Sequence, residues 1–292
     1  KQVLAGFSSP GWFDLVAKTV PPDRRGKLMG SRSSVGAAMG FLNTILLTGL
    51  LIYLDFPYNY SVVFLLAFLY QIASWFVLRK VVEEKPSEIV APVSLRNLLK
   101  EIREILKKDE RYRRFLFASA LSIVGLMPMG FFTVAALQKF HLTEAYVGVF
   151  TMTAVSSQVL SAGILGWVSD LKGYKVSLVS CSVAMILATV VALLSQQPVW
   201  FYLIFSLVGL IVGTEIMARY NFAADCSPES QRPMYIGLMN AWLAPFYLSN
   251  LIGGWLSDAF GYEILFIVGG LFSLAGFFFL IKVRDPRRPQ HS

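Results

Sequence analysis

The feature that most limits how this chain can fold is a succession of apolar runs, each about twenty residues long, separated by short polar turns. A helix of that length crosses the hydrocarbon core of a bilayer. Only 15% of the 292 residues are charged and 55% are hydrophobic, whereas a soluble chain carries about 25% charged residues. The sequence therefore predicts an all-α integral membrane protein.

Six of the apolar runs lie in the second part of the chain. We predict spanning helices at residues 115–137, 145–168, 176–195, 199–222, 236–256 and 262–282. Two earlier runs occupy residues 33–54 and 60–78. Residues 2–20 are weakly apolar and contain Pro10, so they could span a membrane only when packed against protein. Together these segments make about nine membrane helices.

The segment from Arg79 to Arg114 is different in kind, because it holds eleven of the 26 lysines and arginines and seven acidic residues. Ser94 is a suitable helix N-cap, and apolar residues follow it at helical spacing: Leu95, Leu98, Leu99, Ile102, Ile105 and Leu106. This pattern predicts an amphipathic helix along the membrane surface or against helix ends. We expect the remainder of an N-terminal helical half at 1–82, a cytoplasmic amphipathic linker at 83–112 and a six-helix half with a short tail at 113–292.

The net charge of +8 does not indicate nucleic-acid binding, because the basic residues occupy short loops between apolar runs. One set of alternate connectors contains Lys18, Arg24, Arg25, Lys27, Arg32, the 79–114 segment, Lys172, Lys175, Arg232, Lys282, Arg284, Arg287 and Arg288, and the other set contains Lys139 alone. The positive-inside rule then places the basic loops and the C-terminus in the cytoplasm. We expect a multi-pass protein of the plasma (inner) membrane, with the lipid bilayer as its surroundings.

A repeat relates the two ends of the chain. Ala17, Pro21, Arg25 and Gly30 recur at equal spacing as Ala224, Pro228, Arg232 and Gly237. Downstream, Tyr60 to Phe64 parallels Tyr262 to Phe266. This similarity indicates two copies of one unit, as in transporters built from parallel repeats. If both copies have six helices, about three helices precede Lys1.

A glycine-bounded basic turn joins the runs at 145–168 and 176–195. Its key residues are Gly166, Asp170, Gly173 and Lys175. Their spacing resembles the loop motif of the major facilitator superfamily, Gly-x3-Asp-Arg/Lys-x-Gly-x-Arg/Lys-Arg/Lys, which lies between helices 8 and 9 of twelve. The sequence departs from the motif at Leu171 and Val176, where basic residues are expected.

The resemblance covers nearly the whole chain and implies helices 4 to 12 of a twelve-helix bundle with a central cavity. It also implies a secondary active transporter that moves a small solute by alternating access, without a cofactor. Proton coupling is an open alternative for the driving force. A transport-inactive membrane receptor or assembly subunit on the same fold is the alternative function.

The basic turn itself has two interpretations. By analogy with the family, Asp170 would face the positive N-terminus of a helix near Gly30 and hold the cytoplasmic side closed. Lys172 and Lys175 could bind nearby carbonyl groups or lipid phosphates. In the alternative interpretation, Gly173 only turns the chain and the lysines only fix the topology.

Polar residues inside apolar helices are candidates for a solute site, because buried polar groups are costly and tend to be functional. The run at 145–168 contains Thr151, Thr153, Ser156, Ser157, Gln158 and Ser161. From it and from the run at 236–256 we select Ser157, Gln158, Asn240, Trp242 and Tyr247. The amides would bind solute, and the two aromatic rings would form walls. Each hydroxyl could instead serve helix–helix hydrogen bonding.

Glu215 and Arg219 lie four residues apart and therefore on one helix face. Asp14 occupies the corresponding earlier segment. The pair could be a structural or gating ion pair, Glu215 could carry a coupling proton, or Arg219 could bind an anionic solute. No metal-ligand cluster, nucleotide-binding loop or catalytic constellation is recognisable, so we expect neither a cofactor nor an enzymatic activity.

Overall fold

A computed structural model describes residues 19, 35–36, 39–47, 49–50, 53–55, 57–81, 95–228 and 231–285. Contacts divide the chain into two units, one within residues 7–91 and one within residues 92–292. Several residues on which predictions rest lie outside the described residues: Asp14, Ala17, Pro21, Arg25, Gly30, Ser94, Arg287 and Arg288.

The first unit contains helix α1, Tyr58–Leu78. Its described residues between 35 and 50 are helical as well, in agreement with the predicted run at 33–54. No residue in the membrane-spanning 18-residue stretch of α1 is buried. Its side chains are apolar on nearly every face, which suits contact with lipid.

The second unit contains nine further helices in its described part. They are α2 Leu95–Lys108, α3 Glu110–Gly125, α4 Phe132–Phe140, α5 Ala145–Lys172, α6 Lys175–Leu194, α7 Trp200–Cys226, α8 Arg232–Leu243, α9 Ser249–Phe260 and α10 Tyr262–Lys282. Six helical segments of the described chain are long and apolar enough to cross a membrane: α1, the 110–140 segment, α5, α6, α7 and α10. No strand occurs among the described residues, and the predicted all-α membrane fold is confirmed.

Two of the predicted spans are not single helices. The span predicted at 115–137 begins earlier, at Glu110, and is interrupted by a 3-10 turn at Met127–Gly130. The span predicted at 236–256 is divided into α8 and α9 by a 3-10 turn at Ala244–Leu248. Both turns contain a proline, which lacks the N–H and clashes with the preceding helical turn. Pro128 and Pro245 thus divide two spans that hydropathy alone predicts to be continuous.

The early start of α3 has a local cause. The carboxylate of Asp109 accepts a 2.8 Å hydrogen bond from the Tyr112 backbone N–H, which caps the helix. Hydropathy detects only the apolar part of this helix, so the sequence prediction places the charged first turn in the linker.

Helix α2 has the predicted amphipathic character. Ile105 is buried, and Ile102 and Leu106 pack against the hydrophobic cluster that contains Tyr112 and Phe115. The charged residues Lys100, Arg103, Glu104, Lys107 and Lys108 are exposed. The apolar face of α2 therefore packs against this hydrophobic cluster of the second unit.

Helix α7 is central to the second unit, because it makes extensive contacts with both α5 and α6. Helix α10 packs likewise against α3 and α6. Aromatic rings fill the interior. Phe150 of α5 stacks on Phe205 of α7 with ring centroids 4.6 Å apart, and Phe115 of α3 lies 4.6 Å from Phe222 of α7.

Small residues bring the paired helices close together. A Cβ atom built on Gly213 of α7 would lie 2.6 Å from the Gln158 carbonyl oxygen of α5, and one on Gly209 would overlap the Ala154 carbonyl. On α10, a Cβ atom at Gly276 would lie 2.6 Å from the Ser122 hydroxyl. Close backbone approach of this kind replaces the hydrophobic effect as the driving force for helix association in lipid.

This packing predicts that Gly213→Ala destabilises the protein by about 1–3 kcal/mol, since the added methyl group must displace the backbone of α5. The matched control is Gly163→Ala on α5, where nothing lies within 4 Å of the added Cβ atom. That change should be neutral or stabilise by roughly 0.5–1 kcal/mol, because alanine is the better helix former. Thermal unfolding in detergent measures both. Equal midpoints for the two variants would contradict the close approach of α5 and α7.

Candidate functional site

The turn between α5 and α6 is built around Gly173. This residue has φ 89°, a left-handed conformation that glycine adopts without strain, and it is buried. A Cβ atom at this position would also overlap the carboxylate of Asp285, which follows α10. Glycine is therefore required at position 173 both for the backbone turn and for the approach of the chain after α10.

Lys175 holds the end of α10. Its Nζ donates to the carbonyl oxygens of Ile281 at 2.7 Å and Val283 at 2.6 Å. The last carbonyl groups of a helix lack partners within the helix and carry the negative end of its dipole, so an ammonium group stabilises them. The basic turn and the C-terminal end of α10 thus form one contact, which we call the α10 clasp: Gly173, Lys175, Ile281, Val283 and Asp285.

Two serines that the sequence analysis did not select hold the helices beside this turn together. The hydroxyls of Ser169 and Ser177 are 2.5 Å apart and buried, and Ser177 also donates to the Leu165 carbonyl at 3.3 Å. Ser169 immediately precedes Asp170 in the motif. Serine is too common in helices for its type alone to have indicated this role.

The other two motif residues face outward. Asp170 is exposed, and its Oδ1 accepts from the Tyr174 hydroxyl at 3.3 Å. Gly166 is exposed, with nothing within 4 Å of a Cβ atom built on it. Within the described structure, this side of the turn remains open to further contacts.

The polar candidates on α5 divide into two kinds. Ser157 donates to the Ser206 carbonyl of α7 at 2.6 Å, and is thus part of helix packing. Thr151 and Thr153 donate to carbonyls four residues earlier on α5 itself. Gln158 is half-buried beside Gly213. Its long side chain therefore places an amide group beside the contact between α5 and α7.

The candidates in the divided helix have different surroundings. Asn240 of α8 accepts a 3.0 Å hydrogen bond from the Tyr220 hydroxyl. Trp242 is 41% exposed, and its ring centroid lies 6.4 Å from that of Phe246. Tyr247 lies in the 3-10 turn and is half-buried against the hydrophobic cluster of α3 and α7.

Glu215 and Arg219 form the predicted ion pair, and both are buried within the second unit. They line a small cavity between α3, α6, α7 and α10. Its other walls are Ser119, Ser122, Leu126, Leu178, Cys181, Ser182, Met185, Ser273 and Leu280. The sequence indicated the pair from its spacing on one helix, but the residues from α6 and α10 only come next to it in the folded unit.

Most of the second unit matches a known protein family. The family model of the Major Facilitator Superfamily matches residues 114–292, which include the α10 clasp and the Glu215–Arg219 pair. The chain belongs to the major facilitator superfamily. It is an integral, multi-pass membrane protein with several helices of membrane-spanning length.

One relative within the superfamily is the human MFS-type transporter SLC18B1. It is 25% identical over an alignment of 173 positions, and the match covers 52% of this chain and 38% of the human protein. The match thus spans well under half of the relative's length. It supports the family assignment and leaves the solute open.

The α10 clasp predicts distinct effects for the two lysines of this superfamily loop. Lys175→Gln should lower the local stability at the end of α10 by about 1 kcal/mol, because two carbonyls lose a cationic donor. Amide hydrogen exchange in peptides covering residues 278–285 should rise. Lys172→Gln is the matched control, since Lys172 is exposed on the same turn and the structure describes no such contact for it. Equal exchange in both variants would exclude the clasp.

Proposed function

We propose that this chain belongs to a secondary active transporter that moves a small solute across the membrane by alternating access. The family assignment and the named transporter among its relatives support this proposal. The arrangement of basic loops favours a cytoplasmic C-terminus, and we propose the plasma (inner) membrane as the location. A transport-inactive receptor or assembly subunit with the same fold is the alternative.

The observation that carries the proposal is that α5 combines a low hydropathy with little burial. Its mean hydropathy is 1.4, against 2.0–2.6 for the other membrane-length segments of the second unit. Only 11% of the residues in its membrane-spanning stretch are buried, against 33–50% of those in the other segments. The least apolar span is therefore also the least covered. The exposed face of α5 is mixed, with Thr151 and Ser156 beside apolar residues such as Leu160. We propose that the polar part of this face borders a water-filled solute pathway.

Gln158 is the strongest solute-binding candidate on α5. Its amide can donate and accept, and an uncompensated amide is costly in an apolar environment. Asn240, Trp242 and Tyr247 are the corresponding candidates on the divided helix, where a tryptophan that is 41% exposed offers an aromatic wall. Ser157 contributes to the site by fixing α5 against α7.

For Glu215 and Arg219 we propose a structural ion pair that stabilises the second unit. Both side chains are enclosed by helices of that one unit, which favours this role over binding of an anionic solute by Arg219. Proton coupling through Glu215 is the alternative, and the dependence of transport on a pH gradient tests it.

The primary test is solute flux in proteoliposomes that contain the full-length protein, with and without a pH gradient, across a panel of small solutes. Saturable, protein-dependent flux is the expected result. A correctly folded protein that binds a solute of the panel but never moves it would establish the receptor alternative instead.

Within that assay, Gln158→Met should raise the KM for the solute about tenfold or more, since a lost hydrogen bond to solute in a buried site is worth about 1.5 kcal/mol or more. Methionine keeps the length that packs beside Gly213. The control is Thr153→Val on the same helix, whose hydroxyl donates to the Val149 carbonyl of α5 itself, and it should leave KM nearly unchanged. An unaltered KM in Gln158→Met would remove Gln158 from the solute site.

Asp170 provides a separate prediction about gating. We propose that its exposed carboxylate stabilises the closed cytoplasmic side by facing a helix N-terminus of the other half. Asp170→Asn should then increase alkylation of cysteines engineered into the cytoplasmic half of the pathway. Tyr174→Phe, which removes the hydrogen bond from the Tyr174 hydroxyl to Asp170 and keeps the Asp170 charge, is the control. Identical labelling of Asp170→Asn and the parent protein would show that the turn only fixes topology.

A further inference from the structure

The cavity beside Glu215 and Arg219 has a volume of about 20 Å³. A single water molecule needs roughly 10–15 Å³ by this measure, and it remains in a cavity only where two to four polar partners surround it. The cavity therefore has room for one water molecule. Whether water occupies it depends on the polar groups in its wall.

The donors in the wall come from Arg219. Its Nη2 is paired with Glu215 Oε1, while Nε and Nη1 are buried without a hydrogen-bond partner in the described part of the chain. The Arg219 side chain is only 4% exposed. A buried donor that stays unpaired costs about 1–3 kcal/mol, and more when the group is charged. These two N–H groups therefore need an acceptor.

Two of the serine hydroxyl groups in the wall present acceptors, because their protons are already used in hydrogen bonds to carbonyl groups. Ser182 donates to the Leu178 carbonyl at 3.1 Å, and Ser273 donates to the Gly125 carbonyl at 3.1 Å. Each of these oxygens retains lone pairs. A ligand between them and Arg219 must therefore both accept and donate.

Water meets this requirement and a small anion does not, because an anion accepts hydrogen bonds without donating any. The charges of Glu215 and Arg219 also cancel, so the cavity offers no net attraction to an anion. We propose that this cavity is a binding site for an ordered water molecule that accepts from Arg219 and donates to a serine oxygen.

This internal water explains how α7 can hold a buried guanidinium whose nearest carboxylate takes only one of its N–H groups. The inference does not rest on transport, because it concerns the interior of the second unit alone. It applies equally to a transporter, a receptor or an assembly subunit.

The test is X-ray radiolytic hydroxyl-radical labelling of the full-length protein in lipid nanodiscs, read by mass spectrometry. Radicals arise from bound water in place, and methionine is readily oxidised to its sulfoxide. Met185 lines the cavity and is 1% exposed. Met239 and Met127 are equally buried at 1% and 2%, and neither is among the residues that line the cavity.

Met185 should be oxidised several-fold faster than both control methionines. Ser182→Val, which removes an acceptor and fills part of the cavity, should reduce the Met185 rate to that of Met239. Equal rates for the three methionines in the parent protein would show that the cavity is dry and overturn the proposal, whether or not the variant folds. Protection of Met185 by chloride, with gluconate as the control salt, would identify a small anion as the occupant and overturn it as well.

Discussion

The peptide groups of a chain in lipid have no solvent partner, and this constraint underlies the whole structure. Each crossing segment must satisfy its own backbone and therefore becomes a helix. The hydrophobic effect then contributes little to holding these helices together, because lipid is as apolar as their side chains. Close approach of the helix backbones holds the helices together instead. Gly209 and Gly213 bring α7 onto α5, and Gly276 brings α10 onto α3.

Several polar side chains in this unit join helices, whereas others bond only to their own helix. Ser157 links α5 to α7 through the Ser206 carbonyl, and Ser273 links α10 to α3 through the Gly125 carbonyl. Each bond adds a directional constraint to a contact between small residues. The amide of Gln158 stands apart from these serines, which is why the function proposed for α5 depends on it.

The α10 clasp gives the basic turn a structural role beyond topology. Gly173 lets the chain after α10 approach the turn, and Lys175 binds the carbonyls at its end. The same positive charges that favour a cytoplasmic location therefore also stabilise a helix terminus. A turn fixed in this way to α10 would present Asp170 on a rigid support.

The sequence by itself determined the all-α membrane class, nearly all the spanning segments and the superfamily. Hydropathy and motif spacing act along the chain, so they can be read from it. Only the tertiary structure decided which polar groups meet. Lys175 reaches carbonyls more than a hundred residues away, and Ser182 and Ser273 join Arg219 at one cavity. Such partners depend on which helix faces turn together, and that is set by the packing of small residues between helices rather than by the character of any single segment.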